Sequence, residues 1–130
     1  MEGIKISDLH FVGENDRGAT YEFDNLRTGT QTLGMRNAGS INGRHYHAGN
    51  SASKAPEIFI LMKGSLELYA RNLQTGEELT AIMNGPARLE IAPYVWHVIT
   101  AITDIVFIEL NSIAEHAADT YYDQEGKAGS

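Results

Sequence analysis

The sequence predicts an all-β fold, a sandwich or barrel of short strands. Three observations lead there. Short segments rich in Ile, Val, Leu, Tyr, Phe and Thr recur along the chain. Thirteen glycines in 130 residues fall between them as turn punctuation. No long segment carries a 3.6-residue apolar period. The predicted strands cover residues 3–7, 19–23, 30–36, 43–47, 57–62, 65–72, 78–83, 87–91, 96–102 and 104–110. One or two helical turns are expected over 112–119, followed by a polar tail over 123–130.

Several connections have recognisable turn chemistry. Lys63-Gly64-Ser65, Thr75-Gly76-Glu77 and Thr103-Asp104 each separate two β-rich runs and read as hairpins, and Asn84-Gly85-Pro86 is a turn. Asp16-Arg17-Gly18 also reads as a plain turn. Residues 48–56 (AGNSASKAP) are small, polar and unpatterned, hence a loop. With no repeat or linker in sight, residues 1–130 read as one domain. Its barrel core spans about 30–112, preceded by N-terminal strands in 1–29 and followed by a tail from 113 to 130.

Composition narrows the function classes. The absence of cysteine excludes disulfides and thiolate metal sites and fits a reducing compartment. A formal net charge of −7, with scattered basic residues, argues against nucleic acid and anionic membrane partners. No signal peptide is visible, and no segment approaches the roughly 20 apolar residues of a membrane helix. The expectation is a cytoplasmic protein with a small-molecule ligand.

Strand parity then points to a site. Successive side chains on a strand alternate between faces. His45 and His47 therefore share a face, Glu57 shares one with Phe59 and Leu61, and His97 shares one with Ile99 and Ala101. In a small barrel those faces point inward. Two imidazoles at i and i+2, completed by Glu57 and His97 from neighbouring strands, make a four-donor set. Such a set suits a divalent transition metal such as Mn, Fe, Ni, Cu or Zn and leaves positions open for substrate. His10 and His116 have no evident partners and read as surface residues, and Glu109 ends its strand facing either barrel or solvent.

These residues also resemble a family. Gly39-Ser40-Ile41-Asn42-Gly43-Arg44-His45-Tyr46-His47, followed by Glu57 and Gly64, resembles the first cupin motif. Nine residues separate His47 from Glu57, where the family has three or four, so residues 48–56 read as an insertion. Pro93-Tyr94-Val95-Trp96-His97 loosely resembles the second motif, with Ala101 at the position of its Asn. The resemblance implies a double-stranded β-helix, or jelly roll, with His45, His47, Glu57 and His97 as metal ligands. It also implies a homodimer, which would cover the apolar outer faces of 58–62 and 105–110.

A narrower likeness lies in Asp16-Arg17-Gly18, His45-Tyr46 and Trp96-His97. These resemble cupins that act on nucleotide-linked deoxysugars, the 3,5-epimerases and ketoisomerases. That likeness implies His45 as a metal-free general base, which an unperturbed pKa of about 6.5 suits. Arg36 or Arg44 would then hold a phosphate, with Tyr46 and Trp96 as further substrate-binding candidates. Three functions follow: a metal-dependent enzyme on a small sugar or keto acid, a metal-free epimerase or ketoisomerase, and a non-catalytic ligand sensor.

Overall fold

The structure is a computed structural model that describes residues 1–122. Its strands are β1 (Ile4–Asp8), β2 (His10–Asn15), β3 (Gly18–Glu22), β4 (Thr32–Arg36), β5 (Ile41–His45), β6 (Glu57–Lys63), β7 (Ser65–Asn72), β8 (Glu78–Asn84), β9 (Ala87–Ile91), β10 (Val95–Ala101) and β11 (Ile105–Glu109). One helix follows, α1 (Ile113–Ala118), with Ser112 and Glu115 closing a capping box at its start. The polar tail expected over 123–130 lies outside the described residues.

Two antiparallel sheets face each other. One has five strands in the order β1-β9-β6-β11-β4, the other four in the order β5-β10-β7-β8. This is the jelly-roll arrangement expected from the sequence. Between the sheets lies a core that includes Phe59, Leu61, Leu66, Leu68, Leu89, Ile91, Val95 and Phe107. Phe59 and Phe107 stack within it, ring centroids 4.6 Å apart. The parity assignment holds on β10, where Val95, His97, Ile99 and Ala101 are buried and Trp96, Val98 and Thr100 are half-buried on the other face.

The structure corrects three sequence expectations. Lys63-Gly64-Ser65 and Thr103-Asp104 are not hairpins. Each carries the chain from one sheet to the other, because β6 pairs with β9 and β11 while β7 pairs with β8 and β10. Only Thr75-Gly76-Glu77, of the three expected hairpins, joins strands that pair. Local turn chemistry is the same in both settings, so the distinction lies in long-range pairing. The second correction is β2, which forms a hairpin with β3 that the sequence pattern did not indicate. Its residues are mostly exposed and lack alternation. The third concerns β6, whose outer residues Ile58 and Ile60 are covered by Leu9, Ile108 and Leu110 of the same chain. Met62, on the same face, stays exposed.

Gly64 shows why one corner demands glycine. Its φ is +96°, and a Cβ there would sit 2.3 Å from the Asp104 carbonyl oxygen. Gly76 has a φ of +80° but open space around it. Gly64→Ala should therefore destabilise the fold by about 2–4 kcal/mol, and Gly76→Ala by only about 1–2 kcal/mol. Urea denaturation of both variants checks this, and equal losses would contradict the steric account.

Candidate active site

β5 brings the first histidine inward through a bulge. His97 on β10 pairs with His45, whereas Val98 pairs with Gly43, leaving Arg44 as the extra residue. Arg44 has φ +60° and Gly43 φ +97°, and a Cβ on Gly43 would lie 2.8 Å from the His97 carbonyl oxygen. The bulge turns the exposed Arg44 away and sets the His45 ring 4.8 Å from that of His97. β5 ends there, two residues earlier than the sequence pattern suggests. Beyond it, Tyr46 bridges to Tyr121 through two 2.9 Å backbone hydrogen bonds, which keep the chain extended. His47 thus points the same way as His45, the two rings 4.9 Å apart.

Glu57 opens β6 and is buried. Its Oε2 lies 2.9 Å from His47 Nε2 and 3.5 Å from His97 Nε2. Donor atoms of His45, His47 and His97 all lie within 4.8 Å of one another. The three predicted histidines therefore converge, and the predicted carboxylate meets two of them.

Hydrogen bonds on the far side of two rings fix their tautomers. His47 Nδ1 donates to the Asp119 carbonyl at 2.7 Å, and His97 Nδ1 donates to the Val95 carbonyl at 2.9 Å. A carbonyl can only accept, so each Nδ1 carries the proton. Each Nε2 then faces the same carboxylate oxygen, as a lone pair in a neutral ring or as a donor in a protonated one. Burial, followed by the neighbouring imidazoles, lowers the His45 pKa to about 2. Burial also lowers that of His97 to about 4, against an opposing pull from Glu57. Burial alone would raise Glu57, but His47, Lys54 and His97 together hold it well below the usual carboxylate range.

Three residues that sequence reasoning did not assign complete the surroundings. Lys54, from the 48–56 loop, is wholly buried, and its ammonium lies 3.2 Å from Glu57 Oε1 and 3.7 Å from Glu109 Oε2. Glu109 thereby faces the barrel. His116, expected at the surface, instead lines the cavity from α1, with Nδ1 2.9 Å from Lys54 Nζ. Asp119 accepts from the Ala48 and Ser51 amides at 2.9 and 3.0 Å, tying the loop to the C-terminal segment that holds His47. The Ser112–Glu115 capping box was the available signal for His116, since it fixes where the helix starts. No local pattern marks Lys54. His10 is exposed as expected.

The cavity measures about 170 Å³ and is walled by Phe59, Ile99, Ile105 and Phe107. Of the substrate-binding candidates, only Arg36 lines it. Its Nε donates to Asn42 Oδ1 at 2.9 Å, and its guanidinium lies 5.2 Å from the Phe107 ring centre. Arg44 projects outward because it is the bulge residue. Tyr46 is buried between the rings of Tyr94 and Tyr121, each 5.5 Å away, and serves as packing. Trp96 lies on the opposite face of β10 from His97, edge-on to Tyr69 at 6.1 Å.

No family model matches the sequence, and no curated protein matches it. Solved structures do. A sugar 3,4-ketoisomerase from Thermoanaerobacterium thermosaccharolyticum, in complex with TDP, superposes with a TM-score of 0.74 at 14% identity, over 98% of this chain and 96% of that one. A dTDP-4-dehydrorhamnose 3,5-epimerase from Sulfolobus tokodaii gives 0.70 at 18% identity, over 93% and 77%. A 3'-monoepimerase from Streptomyces bikiniensis, in complex with dTDP-quinovose, gives 0.72 at 12% identity, over 92% and 69%. At such identities the likeness is one of fold alone: this chain folds as a jelly roll, as those ketoisomerase and epimerase structures do.

Proposed function

We propose that the cavity is the active site of a small-molecule enzyme centred on a divalent transition metal held by His45, His47, Glu57 and His97. One observation carries this reading. His47 Nε2 and Glu57 Oε2 lie 2.9 Å apart, and both atoms are buried. Two acceptors that close repel unless a cation, a proton or a metal, joins them. A second imidazole nitrogen, His97 Nε2, lies 3.5 Å from the same oxygen. Metal binding requires neutral imidazoles beside an ionised carboxylate, and burial holds His45 and His97 neutral. The set suits Mn, Fe, Ni, Cu or Zn without selecting among them. Bound there, the metal would supply a Lewis acid for a substrate carbonyl or hydroxyl.

The chain's own residues do the rest. Phe59, Ile99, Ile105 and Phe107 exclude water and hold a carbon skeleton. Arg36 at the cavity wall attracts a carboxylate or phosphate. A volume of about 170 Å³ is below the range for drug-sized ligands, which favours a keto acid or a single sugar ring.

The solved structures of like fold favour a second reading, a metal-free sugar-nucleotide epimerase or ketoisomerase with His45 as base. Several of the neighbours catalyse reactions of this kind, and the match to the ketoisomerase spans nearly the whole chain. Here the sugar would enter the cavity and the nucleotide would lie beyond its mouth, near Arg36. A pKa of about 2 sits far below the near-neutral value that suits a general base. Pairing of two copies, which the exposed Leu33 and Met35 of the edge strand β4 favour, accompanies either reading.

Elemental mass spectrometry separates the two. About one metal per chain is expected in the wild type and none in His47→Ala. A metal-free protein after reconstitution with Mn, Fe, Ni or Zn, combined with turnover of dTDP-4-keto-6-deoxyglucose, would establish the second reading instead.

Acid should also act in a defined direction. His45 and His97 titrate lower folded than unfolded, so the unfolded chain binds more protons below about 6.5. Glu57 is lowered as well and pushes the same way. The thermal midpoint of the metal-free protein should be level above pH 6.5 and fall as pH drops through about 4. A midpoint that rises over that window would contradict the neutral cluster.

A further inference from the structure

We propose that His116 is a hydrogen-bond donor to the bound substrate, of opposite tautomer to His47 and His97, and that Lys54 is the positioning residue that makes it so. The inference rests on the small-molecule site proposed above and adds a substrate contact to it.

Lys54 reaches the site through the loop between β5 and β6. Its ammonium meets three groups: His116 Nδ1 at 2.9 Å, Glu57 Oε1 at 3.2 Å and Glu109 Oε2 at 3.7 Å. An ammonium only donates, so His116 Nδ1 must offer its lone pair. The neutral ring then keeps its single proton on Nε2. His47 and His97 are the reverse, because backbone carbonyls take the proton of their Nδ1 atoms. One cavity thus holds histidines of both tautomers, each set by its partner on the far side of the ring.

This sorting bears on a second grouping of donors. A nitrogen of His116 lies within 4.8 Å of donor atoms of His47 and Glu57, so position alone admits it as a further metal ligand. Chemistry does not. Through Nδ1 a metal would have to displace the Lys54 ammonium. Through Nε2 it would need the proton on Nδ1, which would set an N–H against that ammonium at 2.9 Å. A protonated ring would place two cations in contact. Burial and then Lys54 act against that form, lowering the His116 pKa to about 4.

His116 lines the cavity, its ring 5.2 Å from that of His45 and 5.3 Å from that of His47. The nitrogen left for a ligand carries a hydrogen. Its natural acceptor is a substrate oxygen that gains negative charge during reaction, such as that of a 2-oxo acid or a keto sugar. A neutral, prepositioned N–H stabilises such charge without changing protonation.

Long-range 1H–15N NMR of the uniformly labelled chain reads each imidazole tautomer directly, metal-free and with diamagnetic Zn. The expected result is Nε2–H for His116 and Nδ1–H for His47 and His97. His116 found as Nδ1–H would overturn the proposal. In Lys54→Met the bias at His116 should collapse, and Lys54→Gln, which retains a donor, should restore it. An unchanged tautomer in Lys54→Met removes Lys54 from the account. If neither variant folds, the wild-type spectrum still decides the tautomer.

Metal content gives an independent arm. His116→Phe should keep about one metal per chain, whereas a ligand role would empty the site as in His47→Ala. Titration with pyruvate and with dTDP-4-keto-6-deoxyglucose tests the contact itself, and at least one should shift the His116 Nε2–H resonance. With the compound that does, His116→Phe should lower kcat about 100-fold, and His116→Gln should recover part of it. No shift with either compound overturns the substrate contact. A wild type that never binds metal fails the metal reading alone and leaves the tautomer result standing.

Discussion

A carboxylate buried inside a barrel must be neutralised where it stands, and the organisation of this site follows from how Glu57 meets that demand. Lys54 takes one of its oxygens and two imidazoles face the other. Removing one partner of a buried charge pair typically costs about 3–5 kcal/mol, because the other is stranded. Lys54 is thus tied to Glu57, and through Lys54 so are Glu109 and His116. The carboxylate keeps its charge despite burial because its partners, Lys54 among them, outweigh desolvation. An ionised carboxylate beside neutral imidazoles then has one oxygen available for a further cation.

The barrel contributes rigidity and direction to this arrangement. Glu57 and His97 sit on strands in the middle of their sheets; His97 is paired on both sides and Glu57 with β9 on one. His45 is on an edge strand and needs the bulge at Gly43-Arg44 to face inward. His47 lies past the end of that strand, and its orientation depends on Tyr121 and Asp119 instead. The ligands are therefore held by unequal means, from full ladder support to a borrowed bridge at the chain's far end.

Much of this could be read from the amino acids. Alternation on β10 placed His97 inward, and the spacing of His45, His47, Glu57 and Gly64 gathered the converging set. Those signals come from strands, where a period of two links sequence to face. Lys54, His116 and Asp119 escaped because they lie in a loop and around a six-residue helix, where no period applies. The two misread hairpins failed for a related reason. A glycine corner has the same local chemistry whether the next strand pairs with the last one or crosses to the opposite sheet. Arg44 looked like a phosphate ligand until the bulge, invisible in the sequence, turned it outward.

The clamp between Asp119 and the amides of Ala48 and Ser51 has an evolutionary consequence. Loop and C-terminal segment are 62 to 72 residues apart in order of synthesis yet act as one inherited part. One supplies the cation, the other the helix-borne imidazole and the carbonyl that orients His47. A lineage that shortened the loop would lose Lys54, and its Glu57 would need a different neutraliser or a neutral replacement. Loop length, the residue at position 57 and the presence of His116 should therefore change together among descendants of this barrel, while the strands between them drift freely under the looser demand of staying apolar inside.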